Sequence, residues 1–346
     1  MAEESAREVA LDPRWLPHTF DQSGSMLTSV FVPREKHSEL MFLSDEHFAG
    51  HYRKTTHPAA EIAAAARGAP QAPVHFIFHT AFCCSTLMLK ALDVPGRTFG
   101  LKEPDVLINL ANRFIRSDDA ANRERLRLVL SLLGRPFDAG ETMIVKPTNF
   151  ANRLALPALE TLPDSRAVLL YSDVRTLLTS LLKRGMWGRI WGRRLFWSAG
   201  SWTSLALGYD AEQTFVLTDL QALALGWLMQ MRHFSEVAQR MGDRVAIVDS
   251  ADFLADPGQT LRGIVRLFDL GIDDSTVEQV VSGPTFARHS KFSERGYGPD
   301  ERAADQGAAQ SAHEEELEMV VKWVERVAAH LRVGLNPASS RLAHAI

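Results

Sequence analysis

Four short runs of consecutive apolar residues punctuate the chain: Val74-His75-Phe76-Ile77-Phe78, Met143 to Val145, Ala167 to Tyr171 and Val245 to Val248. Unbroken runs of this length, bounded by turn residues or charges, fit strands buried on both faces, the pattern of a parallel sheet. Between and around them apolar residues recur at helical spacing over Asn122 to Leu133, Arg175 to Arg184, Leu217 to Met241 and Pro257 to Phe268. Strands alternating with helices predict an α/β fold, a three-layer arrangement with a central parallel sheet flanked by helices. Glu314 to Leu331 reads as an amphipathic helix, acidic in its first turn and basic in its last, as the helix dipole favours.

No repeat of solenoid or propeller length is present, so the architecture follows from element order. Residues 1–70 mix short apolar pieces, Met26 to Val32 and Leu40 to Leu43, with Pro, Ser and charges, and are expected to form a preamble packed on the main domain. Ala63 to Pro73 is rich in Ala, Gly and Pro and reads as a linker. The main domain is expected over residues 71–300, and a C-terminal helix and tail over 301–346.

Composition narrows the classes. With 42 acidic against 38 basic residues and a net charge of -4, the chain has no global cationic field, so no nucleic-acid partner is expected. Its two cysteines are adjacent, Cys83 and Cys84, which gives neither a disulfide framework nor a thiolate zinc site. The first ten residues, MAEESAREVA, lack the basic-then-apolar pattern of a secretory signal, so a cytoplasmic location is expected. Gly68 to Leu89 is free of Asp, Glu, Lys and Arg, but it contains Pro70, Gln71, Pro73, His75, His79, Ser85 and Thr86, a content that rules out a membrane span.

Chemistry is expected at the carboxyl end of the first parallel strand, where the turn into a helix offers unpaired N–H groups to an anion. The segment there is His79-Thr80-Ala81-Phe82-Cys83-Cys84-Ser85-Thr86, followed by the amphipathic run Leu87, Met88, Leu89, Ala91, Leu92. It lacks the glycines and lysine of GxxxxGK[ST], so the parts of an ATPase or GTPase mechanism are missing. Ser85 and Thr86 either bind a phosphate or simply cap the helix. His75, His79 and Cys83 do not share a helix face, and no metal is expected.

Several segments, in order, resemble the sulfotransferase family. FIFHTAFCCSTLMLKAL is similar to that family's 5′-phosphosulfate loop, with Ser85 and Thr86 at the Ser/Thr pair. LKEP, Leu101 to Pro104, is similar to a strand edge where family branches carry a carboxylate base, matched by Glu103. IVKPTNFANRL followed by LPDSRAVLLYSDVRTLLTSLLKR is similar to the family's Lys-containing strand and 3′-phosphate motif, matched by Lys146 and Ser180. The likeness spans about Val74 to Gly298, and weakly includes ARHSKFSERGYG, where Arg288, Lys291, Arg295 and Gly296 match a basic loop that closes over the donor. Three positions depart from the pattern: Phe82 where a Lys or Arg is usual, Cys84 where a glycine is usual, and Ser172 where a 3′-phosphate arginine is usual.

The resemblance implies a P-loop-like fold, 3′-phosphoadenosine-5′-phosphosulfate as sulfuryl donor and a small-molecule or metabolite acceptor bearing a hydroxyl or amine. The donor would contact Thr80, Ala81, Phe82, Cys83, Cys84, Ser85 and Thr86, with Ser180, Arg175 and Arg184 at the 3′-phosphate and Arg295 and Gly296 in the closing loop. Glu103 is the first choice of base and His79 the second, with the alternative that His79 is a core histidine satisfied by a backbone carbonyl. Lys102 or Lys146 is expected to supply the cation that Phe82 does not, or else to be a surface lysine that packs its stem. Gly185 to Trp202 interleaves Trp187, Trp191, Trp197 and Trp202 with arginines; it reads as a loop whose tryptophans form an acceptor lid, a stacking surface, a site for an anionic partner, or simple packing. The three departures support an alternative reading, a catalytically inactive nucleotide- or partner-binding protein that retains the fold.

Overall fold

Trp15, Leu16 and Phe20 are apolar and buried, and so are Leu27 and Val30; these two runs pair as strands of an antiparallel sheet. In the computed structural model, which describes residues 4–48, 50–287 and 313–337, β1 (Trp15–Phe20), β2 (Met26–Phe31) and β3 (Lys54–Pro58) lie in the order β1-β2-β3. Trp15 faces Phe31 and Leu27 faces His57 across the ladders. The preamble is therefore an antiparallel sheet rather than isolated apolar pieces. Its third strand, KTTHP, was not visible as a strand because it has no apolar alternation to show.

The remaining strands are β4 (Val74–His79), β5 (Thr98–Lys102), β6 (Thr142–Lys146), β7 (Ala167–Tyr171) and β8 (Val245–Asp249). They form one parallel sheet in the order β5-β6-β4-β7-β8, flanked by helices. Register runs Val74 to Met143 and Phe76 to Val145 between β4 and β6, and Gly100 to Ile144 between β5 and β6. Every residue of β4, β5, β6 and β7 is buried, which is why β4, β6 and β7 read as apolar runs rather than alternating ones, whereas β5, TFGLK, has no such run to show.

The chain divides into two compact units. The first comprises the described residues up to Phe78 together with Met88–Ala167 and Ile264–Asp274. Its helices Asp105–Arg116 and Ala120–Leu133 bury Leu107, Leu110, Phe114, Leu126 and Val129. The His75 ring stacks on Phe268 at 4.8 Å. The second comprises His79–Leu87, Val168–Gly263 and the described residues from Ser275 onward. It is built on the 23-residue helix Asp219–Met241, opened by a capping box between Thr218 and Gln221 and buried through Leu223, Trp227, Leu228 and Phe234.

Gly185–Gly200 differs from its expected loop: it is a 16-residue helix. Four glycines within it lower helix propensity, but two of them make packing possible. Gly188 and Gly192 lie with Leu195 and Ala199 on the buried face. On the facing helix, a Cβ at Gly226 would stand 3.0 Å from the backbone N and Cα of Phe196. Close helix contact, not loop chemistry, explains these small residues.

Candidate functional site

Left-handed backbone is costly for residues with a side chain. Among the described residues, six non-glycine positions adopt positive φ, and four of them follow β4 or β5: Ala81 (73°), Phe82 (50°), Cys84 (62°) and Glu103 (54°). Such outliers persist only where the surroundings hold them, and they cluster at functional sites.

In the second unit, the segment after β4 is anchored from below. Thr80 N–H donates to the Leu170 carbonyl at 3.0 Å, and the Cys83 thiol lies 3.5 Å from the same oxygen. Ser172 N–H donates to Thr80 Oγ1 at 3.4 Å, while the Trp227 indole N–H holds the Ser172 carbonyl at 2.9 Å. Ala81 N–H donates to His79 Nδ1 at 3.1 Å, which in a neutral ring leaves the proton on Nε2. Thr80, Ser85 and Thr86 are buried and Cys84 is half-buried. Ser85 is the first residue of the Ser85–Leu92 helix. Successive left-handed residues leading into a helix N-terminus form the concave array of N–H groups that takes an anion. The Ser172 hydroxyl is buried and has no hydrogen-bond partner among the described residues.

Phe82 brings a cation to this segment indirectly. The Arg184 guanidinium lies over its ring at 4.7 Å and over Trp187 at 5.7 Å, and Phe82 meets Trp191 edge-on at 5.4 Å. Arg175 and Ser180 both lie on the helix Val174–Leu182, which Asp173 caps through Thr176 N–H. Arg175 forms an ion pair with Glu318 of the Glu314–Leu331 helix. Arg295 and Gly296, with Arg288 and Lys291, lie outside the described residues.

In the first unit, Glu103 directly follows β5. Its N–H donates to the Lys146 carbonyl at 2.7 Å, and its carboxylate forms an ion pair with the Lys146 ammonium. Lys146 is fully buried, with its ammonium 5.5 Å from the centre of the Phe42 ring. Lys102 points elsewhere: its ammonium donates to the Ser38 and Leu40 carbonyls at 3.1 and 2.5 Å. Neither lysine is a surface residue, and both are committed within this unit. Phe42, which nothing in its sequence context singles out, is the aromatic wall beside the Lys146 ammonium. Also in this unit, His18, Asp45 and Asp105 bring ligand atoms within 4.8 Å of one another. The Lys54 ammonium, 2.6 Å from Asp45, already supplies positive charge there.

Burial, reinforced by Lys90 and Lys146, pushes the Lys102 ammonium down to about 8. Below about pH 8 folded and unfolded chains both hold this proton; between there and about pH 10.4 only the unfolded lysine does. Lys102 therefore makes stability rise with pH across that window. Comparing urea midpoints of the parent chain and Lys102→Met should show this rise in the parent and its loss in the variant; equal slopes would reject the assignment.

Compared with known proteins, the chain matches no family model and no curated protein. Among solved structures it is similar to "Sulfotransferase Domain from the Curacin Biosynthetic Pathway", with 12% identity, 77% of this chain and 99% of that one covered, and a TM-score of 0.42. It is also similar to a sulfotransferase from Alicyclobacillus acidocaldarius, with 14% identity, 76% and 96% covered, and a TM-score of 0.38. No described helix is long and apolar enough to cross a membrane.

Proposed function

We propose that this chain is a sulfotransferase that moves a sulfuryl group from 3′-phosphoadenosine-5′-phosphosulfate to a hydroxyl or amine of an acceptor. The observation that carries the reading is the run of left-handed, non-glycine residues Ala81, Phe82 and Cys84 leading into buried Ser85 and Thr86, an array suited to a phosphate or sulfate. In the reaction an acceptor oxygen or nitrogen attacks sulfur, the bond from sulfur to the bridging phosphate oxygen breaks, and the acceptor's proton passes to a base. Glu103 takes the base role, with His79 as the second choice, whose Nδ1 would have to release the Ala81 N–H to take a proton. Charge building on the leaving phosphate meets the N–H groups and hydroxyls of the segment.

The missing loop cation is assigned to Arg184. Lys102 is bound to two carbonyls and Lys146 to Glu103, whereas Arg184 rides on the very side chain that replaced the expected Lys or Arg. Ser180 keeps its assignment to the 3′-phosphate. Arg175, paired with Glu318, would have to exchange that carboxylate for the phosphate.

Calorimetric titration with 3′-phosphoadenosine-5′-phosphate, the desulfated product, tests the reading. Binding in the micromolar range, about -8 kcal/mol, with ATP much weaker, is the expected result. Arg184→Ala should weaken it by about tenfold to a hundredfold, the worth of a lost charge-assisted contact. No binding, or a preference for ATP, rejects the donor. Micromolar binding without turnover over a broad acceptor panel would favour the inactive nucleotide-binding protein, a reading supported by the commitment of both lysines to other groups.

A further inference from the structure

The helix Gly185–Gly200 buries one face against Asp219–Met241 and leaves the opposite face bare. Met186, Ile190 and Trp197 fall at i, i+4 and i+11, so they line one stripe. They are 70%, 48% and 78% exposed, and Trp187 beside them is 56% exposed. Large apolar side chains gathered in this way on a soluble protein mark an interaction site. The stripe extends beyond the helix: Arg193, at its edge, holds the Leu217 carbonyl at 2.7 Å and pairs with Asp219, and the neighbouring Phe215 and Val216 are exposed as well.

Charge indicates what covers this face. From Val174 to Tyr209 the chain has Arg175, Lys183, Arg184, Arg189, Arg193 and Arg194 but no Asp or Glu, and the first acids after it, Asp210 and Glu212, open the short helix that ends at Phe215. Arg189 and Arg193 are neutralised at one border by Asp219 and Glu316. Arg194 stands inside the stripe, four residues after Ile190 and three before Trp197, exposed and with no ion pair among the described residues. Tryptophans with an apolar body and a polar N–H, set around an uncompensated guanidinium on a helix lying flat on the protein, fit the headgroup boundary of a bilayer. An all-apolar partner would leave Arg194 buried and unpaired, and a neutral bilayer surface would offer it no counter-charge.

We infer that the exposed face of this helix, centred on Met186, Ile190, Arg194 and Trp197, docks on an anionic phospholipid surface. A net charge of -4 gives the whole chain no general attraction to such a surface, so binding must come from this face. The inference does not rest on the sulfotransferase reading: Met186, Ile190 and Arg194 have no role in it, and Trp197, one of the tryptophans of the expected acceptor lid, is used here only for its exposure.

Co-sedimentation of the full chain with phosphatidylcholine vesicles, with and without phosphatidylglycerol, tests it. Binding is expected to rise several-fold with phosphatidylglycerol and to fall as salt is added. Paired Ile190→Ser and Trp197→Ser substitutions should reduce binding by more than tenfold through lost apolar burial. Arg194→Glu should weaken it by about fivefold for each unit of charge changed, and only on anionic vesicles. Thermal melts of both variants check folding, and the single Arg194 variant stands if the paired one fails to fold. Three outcomes overturn the inference: no excess binding with phosphatidylglycerol, binding unchanged in the variants, or a light-scattering dimer that the paired substitutions turn into a monomer, which would give the face to a second copy of the chain.

Discussion

Arg135→Ala is expected to destabilise the chain by about 3–5 kcal/mol, since several buried carbonyls each lose a donor at about 1–3 kcal/mol per unsatisfied group. Arg135 is 3% exposed and spends all three guanidinium nitrogens on main-chain oxygens. Nε donates to Leu132 at 2.8 Å; Nη1 donates to Val9, Ala10 and Asp12 at 2.7, 3.0 and 2.9 Å; Nη2 donates to Trp15 at 2.5 Å. Those acceptors include the last turn of the helix Ala6–Leu11 and the first residue of β1. One side chain thus closes a helix C-terminus and fixes the entry into the antiparallel sheet. Burial pushes this guanidinium down to about 10, so it remains charged at neutral pH, and alanine would take a donor from five carbonyls, of which the Asp12 oxygen keeps the Trp15 N–H at 3.0 Å. Lysine has three donors on one atom and cannot reproduce the planar fork, so Arg135→Lys should recover only part of the loss. The melting temperature of Arg135→Ala should fall by about 10 °C at two to four degrees per kcal/mol. A fall under about 2 °C would mean that the helix and β1 are held by other contacts.

Arg135 also shows where sequence reading stops. Nothing in its neighbourhood, LLGRPF, distinguishes an arginine serving carbonyls more than a hundred residues away from a solvated one. By contrast, β7 and the helix Pro257–Phe268 were legible to the residue, because an unbroken apolar run and a helical repeat report burial locally. The helix Gly185–Gly200 was misread because its glycines argue against a helix in isolation, while the residues it packs on, Leu223 against Gly192 and Gly226 against Phe196, lie far along the chain. The segment after β4 was found by its position at a strand end. Its left-handed residues were not, since Ala81, Phe82 and Cys84 are types that carry no left-handed signal. Likewise Lys102 and Lys146 could be named as strand-end lysines, but which one meets Glu103 depends on whether each side chain points to carbonyls or to the carboxylate, and pattern alone does not encode that.

Glu103→Gln is expected to lower acceptor sulfation by about 10²–10⁴, the usual worth of a positioned general base, while leaving the affinity for 3′-phosphoadenosine-5′-phosphate unchanged. The substitution isolates proton transfer. Glutamine keeps the shape of glutamate, and its amide oxygen can still accept from the Lys146 ammonium as the carboxylate does, but an amide cannot take up the acceptor's proton. The backbone gives an independent reason to look here: Glu103 holds φ at 54° directly after β5, a conformation that costs about 1–3 kcal/mol in a non-glycine residue, and its N–H is fixed to the Lys146 carbonyl at 2.7 Å. The variant also leaves the fully buried Lys146 without its counter-charge, so a modest drop in melting temperature should accompany the loss of rate, and turnover must be compared where both proteins remain folded. Product binding that survives alongside lost turnover assigns the proton to Glu103. A parental rate in Glu103→Gln, with the loss appearing in His79→Gln instead, would transfer the base role to the imidazole that accepts from Ala81 N–H. Parental rates in both variants would remove side-chain base catalysis by either residue from the mechanism.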